Sequence, residues 1–337
     1  MKKCFYYVAK MALASVILMS SCQNQQSRAV AENPAKTETK AETEAVKKVS
    51  FDADSAYSYV AKQCDFGPRV PNTEAHRKCG DFLASELKRF GAEVIEQKAD
   101  LKAYDGTMLK SKNIIGQFYP DKNRRVALFA HWDSRPFCDN DPNPANHRKP
   151  VMGANDGASG VGVLLEVARQ IQANEPNIGI DIVFFDSEDY GTPQFYEGPE
   201  QEHTWCLGSQ YWGRNPHYKT RPEFGILLDM VGGEMPEFKV DKVSYDFASA
   251  IVYKVWSKAA ELKHDDVFKM EQGGFITDDH FYVNQLTMIP TADIIDFNNE
   301  RGFPETWHTV NDVMENIDKN TLRKVGEVVC GVIYSEK

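Results

Sequence analysis

The chain of 337 residues is 42% hydrophobic and 26% charged, which is enough apolar material for one large core and excludes disorder as its dominant state. Its 39 lysine and arginine residues against 49 aspartate and glutamate residues give a formal charge of -10, and no stretch concentrates the basic side chains that bind a phosphate backbone. We therefore expect no nucleic-acid partner.

The N-terminus has the pattern of an export signal. Three lysines among the first ten residues precede the apolar stretch 11–19, which is too short to span a bilayer. Small residues then lead to Cys22, and this arrangement resembles the lipobox of bacterial lipoproteins, in which the cysteine carries the lipid. We predict a lipoprotein signal peptide over residues 1–21 and membrane attachment through Cys22, or alternatively an ordinary signal peptide cleaved nearby. The lipoprotein would belong to the bacterial cell envelope and face the periplasm.

Residues 22–49 are predicted to form a lipid-anchored, flexible tether. The segment is rich in glutamine, alanine, threonine, glutamate and lysine and has no aromatic residue, so it cannot bury enough apolar surface to offset the entropy of ordering. We expect it to hold a catalytic domain, residues 50–337, clear of the membrane surface.

Short apolar runs alternate with helical patterns from residue 50 onward. The first two predicted strands flank turn-forming residues, so we expect them to pair as an antiparallel hairpin. The alternation predicts the α/β class: a single three-layer domain with a central mixed, mostly parallel sheet and helices on both faces. In chain order, the predicted elements are strands at 113–119 and 125–130, a helix at 157–171, strands at 180–185 and 224–228, a helix at 246–262 and a strand at 288–294.

Acidic or imidazole side chains follow three of the predicted strands. In open α/β sheets, ligands bind beyond the carboxyl ends of the strands, so these side chains are expected to meet at one edge. Each one alone has a structural explanation, as a helix cap or a buried histidine, but carboxylates gathered together repel one another and a cation relieves that repulsion. The mixture of imidazole and carboxylate ligands predicts a zinc site. The residues concerned are His131, Asp156, Glu188, Asp189, Asp229 and His308.

Five motifs contain these residues. They are HWDSRP at 131–136, GANDGASGVGVLLEVAR at 153–169, DIVFFDSEDYG at 181–191, GILLDMVGG at 225–233 and ETWHTVNDVMENI at 305–317. In content and order they resemble the zinc aminopeptidase family that includes the animal-type glutaminyl cyclases. The resemblance extends from about residue 55 to the C-terminus.

The resemblance implies a set of metal ligands. Asp156, Asp189 and His308 would bind one zinc ion per chain, although Asp189 stands where the cyclases usually have glutamate. His131 and Asp229 match the positions that complete a second zinc site in the aminopeptidases, so His131 is a possible second-metal ligand. The family also places a cis peptide bond directly after the position of Asp156.

Three catalytic groups are also implied by the resemblance. Glu188 would act as a general base and then as a general acid. Residues 277–280 are similar to an acidic-Asp-Asp-His segment of the cyclases, which makes Asp278 catalytic. Asp278 is expected to hydrogen-bond to Asp229 and share a proton with it, which would keep Asp229 away from a second metal. An acidic helix N-terminus is the alternative explanation for this segment.

The aromatic residues Trp205 and Trp307 look like the walls that hold an N-terminal glutamine in the cyclases, with Trp212 as the alternative to Trp205. The implied reaction converts the N-terminal glutamine of peptides and proteins to pyroglutamate and releases ammonia, with zinc polarising the γ-amide. The alternatives are a zinc aminopeptidase that uses two metals and a surface lipoprotein that keeps the fold only for binding.

Overall fold

The computed structural model describes residues 50–199 and 201–337. The predicted signal peptide, the anchor Cys22 and the tether lie outside the described residues. Among the described residues, every helix is too short or too polar to cross a membrane. In chain order the elements are α1 (Ala53–Cys64), α2 (Glu74–Arg89), β1 (Glu93–Lys102), β2 (Met108–Phe118), β3 (Arg125–His131), α3 (Ala158–Ala173), β4 (Gly179–Phe185), α4 (Leu207–Arg214), β5 (Gly225–Asp229), β6 (Phe238–Val240), α5 (Lys242–Glu261), β7 (Phe268–Gln272), α6 (Asp279–Thr287), β8 (Thr291–Ile295) and α7 (Lys319–Ser335).

A six-stranded sheet with the strand order β1-β2-β4-β3-β5-β8 forms the centre of the fold. Strands β4, β3, β5 and β8 run parallel to one another, whereas β2 pairs antiparallel with both β1 and β4. The predicted mixed, mostly parallel sheet is therefore confirmed. A separate two-stranded sheet joins β6 and β7.

Alternating side chains of the central strands enter two different cores. Val126 and Leu128 of β3 belong to a large cluster that includes residues of α1, α2, α3, α5 and α7. Phe129 points to the opposite face and packs in a smaller cluster with Trp212 of α4 and Val283 of α6. The period of two along a strand thus produces the predicted three layers of helix, sheet and helix.

Acidic and hydroxyl side chains define where the helices begin. Asp52 accepts hydrogen bonds from the N–H groups of Asp54 and Ser55 at the start of α1, and Thr73 accepts one from His76 at the start of α2. These bonds satisfy N–H groups that have no partner within the helix. The same role is played by Asp241 for α5, Asp278 for α6 and Asp318 for α7.

The predicted antiparallel hairpin between 113–119 and 125–130 is wrong. Strands β2 and β3 form at these positions, but β4 lies between them, antiparallel to β2 and parallel to β3. Every residue of β4 is buried. An apolar strand of this kind is stabilised by pairing on both sides, and the crossover through α3 returns the chain to that central position.

Candidate active site

The carboxyl ends of the parallel strands bring the six predicted polar residues to one edge of the sheet. His131 ends β3 and Asp229 ends β5, while Glu188 and Asp189 lie in the loop that follows β4. Asp156 precedes α3, and His308 comes from the loop between β8 and α7. A cleft of about 760 Å³ opens at this edge, and five of these residues line it, all except His131.

Three of the predicted ligands form one compact cluster. Nε2 of His308 lies 3.1 Å from Oδ1 of Asp189 and 3.4 Å from Oδ2 of Asp156. The ligand atoms of all three residues lie within 4.8 Å of one another, and all three side chains are buried. Neither carboxylate oxygen of Asp189 has a hydrogen-bond partner among the described residues. Buried oxygen and nitrogen atoms left open in this way fit a zinc ion.

A second cluster shares one ligand with the first. Nε2 of His131 lies 2.9 Å from Oδ1 of Asp156 and 3.2 Å from Oδ1 of Asp229. These ligand atoms also lie within 4.8 Å of one another. Because Asp156 offers one oxygen to each cluster, the arrangement accommodates one metal ion or two.

The backbone around the ligands is held by two buried carboxylates that the sequence analysis missed. Asp133 accepts hydrogen bonds from the main-chain N–H groups of Glu188 and Asp189, at 3.1 and 3.2 Å. Asp312 accepts from the N–H groups of Asn155 and Asp156, at 2.7 and 3.1 Å. Such outer carboxylates orient metal ligands. Their positions within two of the five motifs were the signal that could have revealed them.

The peptide bond between Asp156 and Gly157 is cis, as the resemblance implied. Gly157 also lies in close contact with the end of β3: a Cβ atom there would collide with the ring and the main-chain oxygen of His131. Only glycine therefore allows the loop to bring Asp156 against His131.

Glu188 is buried beside the first cluster. Burial, together with the negative charges of Asp189 and Asp278, raises its pKa well above the usual value for glutamate. The thiol of Cys206 donates a hydrogen bond to Oε1 of Glu188 at 3.1 Å. A carboxyl group with a raised pKa binds a proton more readily than an ordinary glutamate, which suits a group that accepts a proton and then returns it.

Asp278 lies at the start of α6 and also lines the cleft. One of its oxygens accepts the N–H of Asp279 at 2.5 Å, and the other has no hydrogen-bond partner among the described residues. Oδ1 of Asp229 lies 3.2 Å from Nε2 of His131. The expected hydrogen bond between Asp278 and Asp229 requires one of the two carboxyl groups to be protonated, and it stays a prediction. Burial and the charge of Asp156, with a contribution from Asp278, raise the pKa of Asp229 to about 7.

A buried charged cluster that the sequence analysis did not predict lies behind Asp278. Nε2 of His280 is 3.0 Å from Oδ1 of Asp241, and its Nδ1 is 3.4 Å from Oδ2 of Asp293. Burial, followed by the charge of Asp278, raises the pKa of Asp293 well above its usual value. The acidic environment of the cleft thus continues into the protein interior.

Two tryptophans line the cleft. The ring centre of Trp307 lies 3.8 Å from that of His308 and 4.3 Å from that of Phe303. Trp205 lies on the loop before α4, whereas Trp212 is fully buried against Phe129 and Phe185. The structure therefore places Trp205 at the cleft and Trp212 in the core.

Comparisons with known proteins identify the family. Residues 113–333 match the sequence profile of peptidase family M28. The chain is 30% identical over 275 residues to an aminopeptidase of Bacillus subtilis; the match covers 79% of this chain and spans about half, 54%, of that relative. It is 23% identical over 301 residues to the glutaminyl-peptide cyclotransferase of Bos taurus, covering 77% of this chain and 76% of the relative.

Solved structures give a closer match. The glutaminyl cyclase of Bacteroides thetaiotaomicron, bound to N-acetylhistamine, is 57% identical, with a TM-score of 0.84 and coverage of 86% of this chain and 99% of that one. A structure described as a Zn-dependent exopeptidase from Parabacteroides distasonis is 56% identical, with a TM-score of 0.84 and coverage of 85% and 99%. The resemblance drawn from the motifs is confirmed: the chain belongs to peptidase family M28 and, within it, to the group that contains the bacterial glutaminyl cyclases.

Proposed function

We propose that this chain is a glutaminyl-peptide cyclotransferase, which converts the N-terminal glutamine of peptides and proteins to pyroglutamate and releases ammonia. The observation that carries this proposal is a pair of buried carboxyl groups at the cleft, Glu188 and Asp278. The second of them has an oxygen without a partner among the described residues, ready to meet a substrate N–H. The similarity to a glutaminyl cyclase over 99% of that chain supports the same function.

We infer that the chain binds zinc through Asp156, Asp189 and His308, with one ion per chain. The open oxygens of Asp189 and the imidazole of His308 provide the donor set that zinc prefers. When bound, zinc supplies a Lewis acid for the γ-carbonyl oxygen of the glutamine. The similarity to a Zn-dependent exopeptidase supports this choice of metal.

The remaining chemistry belongs to the side chains of the cleft. The substrate's α-amine forms a bond to the γ-carbonyl carbon, and the bond from that carbon to the amide nitrogen breaks. Glu188 accepts the proton that the amine loses and returns it to the departing ammonia. Asp278, with Asp229 close enough to influence its protonation, accepts a hydrogen bond from the γ-amide nitrogen and so orients the leaving group.

The two tryptophans provide the walls of the substrate pocket in this proposal. Trp205 and Trp307 present aromatic surface to the cleft beside His308, with ring centres 6.0 and 3.8 Å from that of its imidazole. They would pack against the methylene groups of glutamine and exclude water, which would otherwise compete with the amine as the nucleophile.

A second candidate function is that of a zinc aminopeptidase, and one observation favours it. The cluster of His131, Asp156 and Asp229 provides the ligands for a second metal ion beside the first. Two metals with a bridging hydroxide would hydrolyse the first peptide bond of a substrate.

The test uses the purified chain from residue 23 onward with zinc and two tripeptides, one beginning with glutamine and one with leucine. We expect mass spectrometry to show the glutamine peptide lighter by one ammonia and the leucine peptide unchanged. Release of free leucine would establish the aminopeptidase instead and overturn the proposed function.

We propose that the enzyme acts in the bacterial cell envelope, facing the periplasm, on exported chains whose new N-terminus is glutamine. The N-terminal pattern supports a lipid on Cys22 and a tether over residues 22–49. Replacing Cys22 with alanine should move the enzyme from the membrane fraction to the soluble fraction of the envelope. A membrane fraction that keeps the C22A variant would contradict the anchor.

A further inference from the structure

A buried cation lies behind one of the two tryptophan walls. The guanidinium carbon of Arg135 is 4.5 Å from the centre of the Trp205 ring. The side chain of Arg135 is only 1% exposed, so it contacts the wall from inside the protein and not from the cleft. Arg135 belongs to the HWDSRP motif but takes no part in the reaction proposed above.

The guanidinium plane is fixed by a second buried residue, Asp139. Nε of Arg135 donates to Oδ1 of Asp139 at 2.7 Å, and Nη2 donates to Oδ2 at 2.6 Å. Both side chains of this pair are 1% exposed. A two-pronged ion pair of this kind determines the orientation of the guanidinium as well as its position.

The third guanidinium nitrogen of Arg135 bonds to the loop that follows β4. Nη1 donates to the main-chain oxygen of Asp189 at 3.0 Å and to that of Gly191 at 3.4 Å. Gly191 lies directly against the Trp205 ring, because a Cβ atom there would overlap the ring atoms. Trp205 therefore contacts both the guanidinium plane and the backbone of this loop, which are bonded to each other.

The other wall is supported differently. Trp307 packs against the rings of His308 and Phe303, with ring centres 3.8 and 4.3 Å away, and among the described residues no lysine or arginine stacks on it. Both tryptophans still line the cleft. The support of Trp205 differs because it depends on the charge and on the planar guanidinium of Arg135. A lysine in place of Arg135 would retain the positive charge but lack the planar guanidinium. The substitution therefore separates the contribution of the charge from that of the planar group.

We propose that Arg135, held by Asp139, is a positioning residue that fixes the Trp205 wall and thereby contributes to the binding of the substrate's N-terminal residue. This inference rests on the proposed function, since it assigns Trp205 to the substrate pocket. Arg135 does not line the cleft, and its closest approach to the side chain of a predicted ligand is 3.7 Å, between Nη1 and Oδ1 of Asp189, an ion pair whose charge lysine would retain. Its effect is therefore expected in KM and not in kcat.

The experiment compares the purified, zinc-loaded wild type with the Arg135→Lys variant on the glutamine tripeptide. We expect KM to rise about tenfold, with kcat within about twofold and the zinc content unchanged, because a desolvated stacking contact is lost while the charge remains. The matched control is Arg148→Lys. Arg148 stacks on Phe195 at the same 4.5 Å but is exposed and does not line the cleft, so KM should stay at the wild-type value.

A double-mutant cycle distinguishes wall positioning from general structural support. In a Trp205→Leu background, replacement of Arg135 by lysine should produce no further rise in KM, because the wall it supports is gone. An equal rise in both backgrounds would overturn the proposal. So would an unchanged KM in Arg135→Lys, or a loss of zinc and kcat at constant KM, which would make Arg135 a support of the ligand Asp189.

A second variant covers a failure of Arg135→Lys to fold. Asp139→Asn retains the shape of the side chain and removes the charge that orients the guanidinium, and it should raise KM in the same way. Because Oδ1 of Asp139 also lies 3.7 Å from Nδ1 of the predicted ligand His308, the zinc content of this variant is measured beside KM. If thermal unfolding shows that neither variant folds, the pair serves stability and the proposal is overturned. If the wild type releases leucine and forms no pyroglutamate, the proposed function fails, and the same KM comparison on the leucine tripeptide still decides the role of Arg135.

Discussion

Buried charged side chains lie at both ends of the parallel strands, paired at the amino ends and with an excess of acidic groups at the carboxyl ends. At the amino ends, Nη2 of Arg125 lies 2.5 Å from Oδ1 of Asp181, and its Nε lies 3.2 Å from Oδ2. The same guanidinium donates to the main-chain oxygens of Tyr119 and Phe118. Although burial opposes it, the nearby imidazole of His217 and the hydrogen-bonded guanidinium of Arg125 lower the pKa of Asp181. Arg125 and Asp181 are thus paired with each other.

The carboxyl ends of the same strands carry acidic groups in excess of their partners. The carboxylate oxygens of Asp189, and one oxygen of Asp278, have no hydrogen-bond partner among the described residues. Burial raises the pKa of Glu188, and it raises the pKa of Asp189 to about 6 with help from the charge of Asp156. The paired charges at the amino ends therefore stabilise the fold, whereas the acidic groups in excess lie at the carboxyl ends, where a metal and a substrate can bind them.

Replacing the general base should produce the largest effect at the carboxyl ends. In Glu188→Gln we expect turnover to fall by about 100-fold or more, because the amide cannot accept the proton of the amine. Zinc content and the unfolding temperature should stay close to wild type. The control is Glu305→Gln, an exposed acid near His308, which should keep full turnover. Full turnover in Glu188→Gln would remove Glu188 from this role.

Breaking the ion pair at the amino ends should affect stability and leave catalysis intact. In Arg125→Met we expect a loss of about 3–5 kcal/mol in the free energy of unfolding, because Asp181 is left buried and unpaired. Urea unfolding measures this loss, and kcat/KM of the folded enzyme should be unchanged. The double variant with Asp181→Leu should recover part of the stability. A change in kcat/KM would show that the two ends of the strands are coupled.

Removal of the metal should reveal the excess of acidic groups at the carboxyl ends through the pH dependence of stability. The pKa values of Asp189 and Asp229 are raised to about 6 and about 7 in the folded chain, so the native state holds protons that the unfolded chain has released. The stability from these groups is complete below about pH 4 and is lost as the pH rises through 6 and 7.

The chelated chain should therefore unfold several degrees lower at pH 7 than at pH 5. Zinc should reduce this difference, because the ion replaces the protons. Thermal unfolding at both pH values, with and without zinc, measures the effect. A chelated chain that is equally stable at pH 5 and pH 7 would contradict the raised pKa values.

An exposed ion pair should make the smallest contribution to the free energy of unfolding. Nζ of Lys110 lies 2.8 Å from Oδ2 of Asp100 at the surface of the β1 and β2 pair. We expect Lys110→Ala to change the free energy of unfolding by less than about 1 kcal/mol and to leave activity unchanged, because solvent screens the pair. A larger loss in urea unfolding would show that exposed charges also stabilise this fold.

Local pattern was sufficient to predict much of the fold and the composition of the candidate site. The continuous apolar run of β4 and the helical spacing of α3 are visible in the sequence because each element buries a face with its own period. The acids and imidazoles could be assigned to one edge because parallel strands all end there. The five motifs then identified the family, which the comparisons confirm.

The tertiary structure decided which residues became neighbours. It placed β4 between β2 and β3, brought Asp229 against His131, and put Trp205 at the cleft while Trp212 entered the core. These choices depend on contacts between residues distant in the chain, such as the main-chain bonds to Asp133 and the ion pair behind Trp205. The sequence by itself determined the side chains and the edge of the sheet that carries them. Their pairing required the packed fold, because burial and the competition among several acids for two imidazoles exist only there.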